Sequence, residues 1–283
     1  LAHQLIEKQY RVLQEDLLPT LAQEGIQFVR RTDWNDAQRA WIKTYFFREM
    51  MPVLTPIGLD PSHPFPKVLN KSLNFVVELE GRDAFGRQSG IAIVQAPRVL
   101  PRLIQLPPEI ATAHHCYVFL SSILHAHVGD LFDGMQVLGC YQFRVTRDTD
   151  LSVDEEEVKD LRKALQGELR QRQFGHAVRL EVADNCTEKM SAFLLEQFHL
   201  KPQDLYPVNG PVNLARMMQV PDMVDRPDLK YPLYRATLSR ELDKNSDLFA
   251  VLGKQDILLH HPFQSFAPVV GLLQQAANDK AVI

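Results

Sequence analysis

Residues 73–80 read LNFVVELE. Leu73, Phe75, Val77 and Leu79 recur at every second position, which is the period of an extended strand, and mostly polar residues stand between them. The pattern predicts a strand with one buried face and one wetter face. The segment GRDAFGRQSG (81–90) then turns the chain and IAIVQ (91–95) returns, which reads as an antiparallel hairpin with a long loop. Three more apolar runs extend the set: CYVFL (116–120), VLGCYQFRV (137–145) and AVRLEVA (177–183).

Helical patterns lie among these strands. SSILHAHVGDLF (121–132) has Ser121 or Ser122 as a cap, and TEKMSAFLLEQFHL (187–200) has Thr187. The most regular pattern spans 151–175. Ser152 or Asp154 caps it, Glu155, Glu156 and Glu157 fill its first turn, Arg170 and Arg172 its last, and Gly175 closes it, so its charges complement the helix dipole. GPVNLARMMQ (210–219) reads as a short helix with Pro211 at its first position. Strands mixed with helices, without strict alternation, predict an α+β fold.

Upstream, residues 1–25 carry Leu5, Val12, Leu13, Leu17, Leu18 and Leu21 at helical spacing, with Gly25 as C-cap and Pro19 as a flaw that kinks or splits the helix. GIQFVRR is a short strand. A second helix runs from Asn35 to Met51, capped by Asp33 or Asn35, with Trp41, Tyr45 and Phe46 on its apolar side. Together the two helices read as a helical hairpin. Pro52, Pro56, Pro61, Pro64 and Pro66 then mark a boundary near residue 53, and a second proline-rich stretch puts another near 231. Beyond it come a strand DILLH (256–260), a loop HPFQSF, a helix from about Phe266 to Asn278, and AVI as the start of a next strand, the opening of an α/β unit. Both ends of the sequence, from Leu1 to Ile283, look cut from something longer.

The chain has 283 residues, 45% hydrophobic and 23% charged, with a formal net charge of −4, so a strongly basic nucleic-acid binder is disfavoured. Cys116, Cys140 and Cys186 are far apart and odd in number, which suggests buried thiols in a reducing cytoplasmic setting and argues against a zinc site. No run of eighteen apolar residues occurs. No phosphate-binding glycine loop, GxSxG elbow or HExxH arrangement is present.

His260 and His261 are adjacent, so on a strand they would face opposite ways. His261 follows the predicted strand end, where α/β folds place ligands, and is a candidate for lining a site with Phe263 and Ser265. A packing role followed by Pro262 is the plainer alternative. Arg82, Arg87, Arg98 and Arg102 span the hairpin and the loop after it, and Asn70 and Lys71 precede its first strand. A polyanion could use the arginines, with a solvated surface as the commoner explanation, and Asn70 and Lys71 could make a polar contact but more often form a strand-entry turn.

Six stretches resemble the bacterial polyphosphate kinase family that phosphorylates itself on histidine. They are LTPIGLDPSHPFP, NKSLNF, FRVTRDTDLSVDEEEVKDL, RQFGHAVRLEV, DLKYPLY and the final DILLHHPFQSFAPVVGLLQQAANDKAVI, in that order along the chain. The resemblance implies the end of a helical N-terminal domain (1–52), an α+β head domain used for dimerisation (53–230) and the start of a phospholipase D-like domain (231–283). It implies reversible transfer of the terminal phosphate of ATP to polyphosphate through a phosphohistidine, with Mg2+, ATP and ADP, polyphosphate as partner, and a homodimer or tetramer formed through the head. It places the reacting histidine and the arginines that serve magnesium and phosphate beyond Ile283, and the ATP-holding asparagine before Leu1, so no catalytic residue and no metal ligand is assigned here. In some members aromatic residues stand where this chain has His260 and His261. ANDKAVI lacks the proline usual after its aspartate. A non-enzymatic dimerisation module is the alternative reading, and a nucleic-acid module a distant third.

Overall fold

The computed structural model describes residues 1–59, 64–82, 90–148, 175–212, 214–238, 242 and 247–282. The predicted helix at 151–175 lies almost wholly outside the described residues, as do Arg87 and His63. The chain forms two compact units, Leu1–Val224 and Asp225–Ile283.

The first unit is built on a six-stranded sheet. Its strands are β2 (Thr55–Gly58), β3 (Asn74–Gly81), β4 (Ile91–Gln95), β7 (Met135–Arg147), β8 (Ala177–Ala183) and β9 (Leu205–Val208), in the order β2-β4-β3-β7-β8-β9. All neighbours are antiparallel except β8 and β9. A smaller sheet, order β1-β6-β5, joins β1 (Ile26–Phe28), β5 (Leu103–Gln105) and β6 (His115–Phe119), with β1 and β6 parallel.

The strand at 73–80 differs from its prediction in one respect. Phe75, Val76 and Val77 are all fully buried, so both faces of β3 are covered. Phe75, Val77 and Leu79 face a core shared with the helices, while Val76 faces a second core with Ile93, Phe143, Val145, Leu180 and Val182. Glu78, paired to Lys189 Nζ at 2.6 Å, and the exposed Glu80 keep the wetter character. Alternation within one strand cannot show that another layer lies over its polar side.

Helices cover the first face. α1 (Ala2–Arg11), a π-helical turn (Val12–Leu17) and α2 (Leu18–Gln23) run continuously. The π turn precedes Pro19, whose ring and missing N–H would break the regular hydrogen-bond ladder. Gly25 ends the helix with φ +77°. α3 (Asp36–Tyr45) is capped by Asn35, whose side chain accepts the Gln38 N–H while the Gln38 side chain accepts the Asn35 N–H. Ile42, Phe46 and Met50, one helical turn apart, are fully buried; Trp41 and Tyr45 are only partly so. α4 (Leu120–His127) uses neither Ser121 nor Ser122 as a cap. β6 runs directly into it, and the Leu120 N–H is satisfied by the Arg102 carbonyl. α5 (Glu188–Gln197), capped by Thr187 as its sequence predicts, closes the second core with Met190 and Leu194. The predicted helix at 210–219 becomes a 3-10 segment (Leu214–Gln219) followed by α6 (Val220–Met223); Pro211 stays outside, its carbonyl accepting the Tyr10 hydroxyl at 2.6 Å.

The second unit contains α7 (Leu248–Leu252) and α8 (Ala267–Asn278). Residues 256–260 do not form the predicted strand, and 281–282 do not begin another. A strand needs a ladder partner, and the described residues offer none there; Leu258 is 91% exposed.

A charge triad anchors α1 to the sheet. Glu181 on β8 accepts from Arg144 Nη1 of β7 at 2.9 Å and from Arg179 Nη2 at 2.7 Å. Arg179 lies over the Tyr206 ring (4.5 Å), and Tyr206 stacks on His3 of α1 at 4.1 Å. The Glu181 side chain is 5% exposed, so its loss strands two cations against a low-dielectric face. Glu181→Ala should lower unfolding free energy by about 3–5 kcal/mol, read from urea unfolding; a loss below about 1 kcal/mol, the value of an exposed pair, would contradict this packing role.

Candidate functional site

In the second unit, His261, Phe263 and Ser265 fall in one turn before α8. His261 Nδ1 lies 3.0 Å from the Gln264 carbonyl oxygen. A carbonyl only accepts, so Nδ1 is the donor in this contact and Nε2 is left free for another partner. The His261 ring meets Phe266 edge-on at 5.1 Å, while His260 packs on Phe263 at 4.9 Å, so the two histidines serve separate contacts. Tyr234 donates its hydroxyl to the Phe263 carbonyl at 2.9 Å. Ser265 Oγ accepts the Ala267 N–H at the start of α8. Phe263 and His261 are exposed. The turn is thus ordered by its own contacts and presents the His261 Nε2 edge.

In the first unit, Asn70 and Lys71 occupy the turn before β3. Asn70 Oδ1 accepts the Arg147 N–H at 2.9 Å, where the β7–β8 register shifts, and its carbonyl accepts from Arg98 Nη2 at 3.0 Å. Its amide is therefore a structural clamp rather than an open ligand. Lys71 has φ +56°, and its N–H donates to the Val145 carbonyl; its side chain is exposed beside the Arg98 contact. The arginines of the hairpin do not form one group. Arg82 follows the far end of β3, Arg98 lies beyond the other end of the hairpin, and Arg102 is buried.

The first unit also holds a cleft of about 650 Å³ that composition and spacing did not reveal. Arg30, Arg31, His125, Gln142 and Asn209 line it. Arg30 Nη2 donates to Gln14 Oε1 and Arg31 Nη1 to the His125 carbonyl. Gly210, with φ +150°, closes its floor: a Cβ there would meet the Tyr10 ring at 3.1 Å. The RR dipeptide after β1 was the one available signal, but His125, Gln142 and Asn209, which complete the cleft, lie about a hundred or more positions away, beyond the reach of local pattern. With two arginines and several amide groups against the single Asp184 carboxylate, the cleft is cationic on balance and suits an anionic ligand.

The architecture is a mixed α+β fold with cationic and amide side chains around an open cleft. Residues 37–220 match the family described as polyphosphate kinase middle domain, and residues 247–283 match polyphosphate kinase C-terminal domain 1. The chain belongs to the polyphosphate kinase family. It is 58% identical over 282 residues to a polyphosphate kinase of Neisseria meningitidis and 54% identical over 283 residues to one of Pseudomonas aeruginosa, covering all of this chain and 41% of each relative. A crystal structure of polyphosphate kinase from Porphyromonas gingivalis shares the fold, with TM-score 0.74 and 22% identity over 99% of this chain and 40% of that one. Among the described residues, no helix is long and apolar enough to cross a membrane.

Burial, and secondarily the Arg31 charge, pull the His125 pKa from 6.5 down to about 4. Between those values the unfolded chain binds a proton that the folded chain refuses. Stability should therefore fall as pH drops through this window, by up to about 1.4 kcal/mol per unit. Urea unfolding at pH 7 and 4.5 measures the slope; if His125→Gln leaves it unchanged, His125 is not its source.

Proposed function

We propose that the chain serves as the middle portion of an ATP:polyphosphate phosphotransferase, which reversibly moves the terminal phosphoryl group of ATP to the end of inorganic polyphosphate and leaves ADP. The observation that supports this is the ordered match to two successive polyphosphate kinase domains, with 58% identity to a polyphosphate kinase along the chain. In this reading residues 1–52 end a helical domain, 53–230 are the head through which copies assemble, and 231–283 open a phospholipase D-like domain. A phosphohistidine carries the group, on an imidazole outside this chain. Among the described residues, no group of three or more His, Cys, Asp or Glu side chains could hold a metal. In this reading Mg2+ and ATP are held by groups outside this chain.

What this chain contributes is positioning. His261 and Phe263 are exposed in the turn that Ser265 ties to the start of the last helix of the second unit, and Lys71 beside Arg98 supplies cations in the first. A polyphosphate chain carries charge along its length, and Lys or Arg contacts hold its register without entering the chemistry.

The full-length protein carrying this chain, given γ-labelled ATP, magnesium and polyphosphate, should elongate the polymer with label; no labelled polymer would overturn the assignment. In that protein His261→Ala should raise KM for polyphosphate roughly tenfold and leave kcat within a few-fold. A kcat loss on the order of a thousandfold would instead place His261 in the chemistry itself.

A further inference from the structure

Residues 64–77, 90–108 and 209–221 carry Lys67, Lys71, Arg98, Arg102 and Arg216 and no Asp or Glu. The whole chain has 35 Asp and Glu against 31 Lys and Arg, so charge has separated locally. The three segments are distant in sequence and meet in the fold. Leu73, Leu103, Val212 and Met217, drawn from all three, line one small cavity. The Ala96 N–H donates to the Leu73 carbonyl at 3.0 Å, and Arg98 Nη2 to the Asn70 carbonyl at 3.0 Å. Arg98 and Arg216 are both close enough to Arg102 for their charges to act on it.

Lys71, Arg98 and Arg216 face solvent. Among the described residues none of the three has an ion pair, and the Lys71 amine and the Arg216 guanidinium have no hydrogen bond either. Arg98 uses one of its five N–H donors on the Asn70 carbonyl. Arg147 is tied to the same turn, its Nε donating to the Val68 carbonyl at 3.2 Å and its N–H to Asn70 Oδ1. Arg102 lies behind the exposed cations. Burial, then the Arg216 and Arg98 charges, lower its pKa to about 10, so it stays charged at neutral pH. It strengthens the field at this surface without itself reaching a ligand.

We infer that an inner run of a linear inorganic polyphosphate, away from its reacting end, lies across Lys71, Arg98 and Arg216. The identity of the polymer rests on the phosphotransfer reading; the polyanion site rests on the charges. Shape sets the class. The cations are separate and exposed, and a single phosphate at one exposed cation gains little. A polymer with charge on every unit meets all three after one loss of freedom, and each contact releases counterions. Single-stranded nucleic acid suits this surface less, because its bases need an aromatic platform. The aromatic rings of the three segments, Phe65 and Phe75, are half-buried and buried. Val99 and Met218 are exposed beside the arginines, but two isolated apolar side chains do not make the continuous face a membrane requires.

The test uses the full-length protein carrying this chain. Its amines are acylated with and without long-chain polyphosphate, and the modified lysines are mapped by mass spectrometry. Lys71 should be protected roughly tenfold, whereas Lys8 and Lys43, exposed on α1 and α3, should not be. Tripolyphosphate at equal phosphate concentration should protect Lys71 far less. Binding of fluorescent long-chain polyphosphate is followed by anisotropy across salt concentrations. Arg98→Gln and, separately, Arg216→Gln should each weaken it about three- to tenfold and lower its salt slope by about one. Arg216→Lys should restore most of the loss, and thermal unfolding of the Arg216 variants should match the parent, because that side chain holds nothing in place. Unprotected Lys71, equal protection by tripolyphosphate, or salt slopes unchanged in both Gln variants would overturn the inference. So would stronger protection by polyuridylate or by phosphatidylserine vesicles than by polyphosphate at equal charge, which would mark a nucleic-acid or a membrane surface. The footprint needs no turnover. Protected Lys71 in a protein that elongates no labelled polymer keeps the site and sinks the phosphotransfer reading; labelled polymer with Lys71 unprotected does the reverse.

Discussion

The constraint on which the first unit depends is that β3 is buried on both faces. Phe75 and Val77 look one way and Val76 the other, and none of the three touches solvent. A strand in that position needs a hydrogen-bonding neighbour on each edge and a layer on each side. β4 and β7 take the edges. Ile42, Phe46 and Met50 of the helical segment cover one side, and α5 with Met190 and Leu194 covers the other. The N-terminal helices are therefore not an appendage to the strands; they complete one core.

That arrangement also decides where charge can sit. Toward β8 the helix-covered face carries Arg144, Arg179 and Glu181 in place of apolar residues, and α1 meets it through His3 and Tyr10. Burial, with the Glu181 charge as a second cause, raises the Tyr10 pKa, so its phenol stays a neutral donor to Pro211. The same junction brings Gly210 and Gln142 next to the cleft lined by Arg30 and Arg31. Polar and cationic groups gather where the apolar sandwich stops, which is where an anionic ligand would find both charge and partly dry walls.

Buried thiols take no part in such chemistry. Burial pushes the Cys140 thiol up to about 12 and raises that of Cys186, so both stay protonated at neutral pH. Asn70 similarly gives up its amide oxygen to the Arg147 N–H, which pins the bulge where β7 leaves β8. Residue type suggested a contact with substrate; the geometry gives this side chain to the backbone.

Much of this was legible in the sequence, because local rules set it. Period-two apolar spacing placed β3 and β4, Asp33 or Asn35 marked the start of α3, Thr187 that of α5, and the six quoted stretches carried the family. Pairing partners, layer order and burial were not legible, because they depend on residues far apart in the chain. The wet face predicted for β3 is covered by α5, more than a hundred residues later. The apolar run at 256–260 stayed unpaired because a strand exists only with a neighbour. Arg102 looked like one more surface arginine of a hairpin; only the closing of β5, α4 and the 214–219 segment around it left a buried guanidinium with an unmet hydrogen bond. Sequence by itself determined the local elements and the family, since both are written in neighbouring residues, and tertiary structure alone decided which charges are buried together, since burial is a property of the assembled layers.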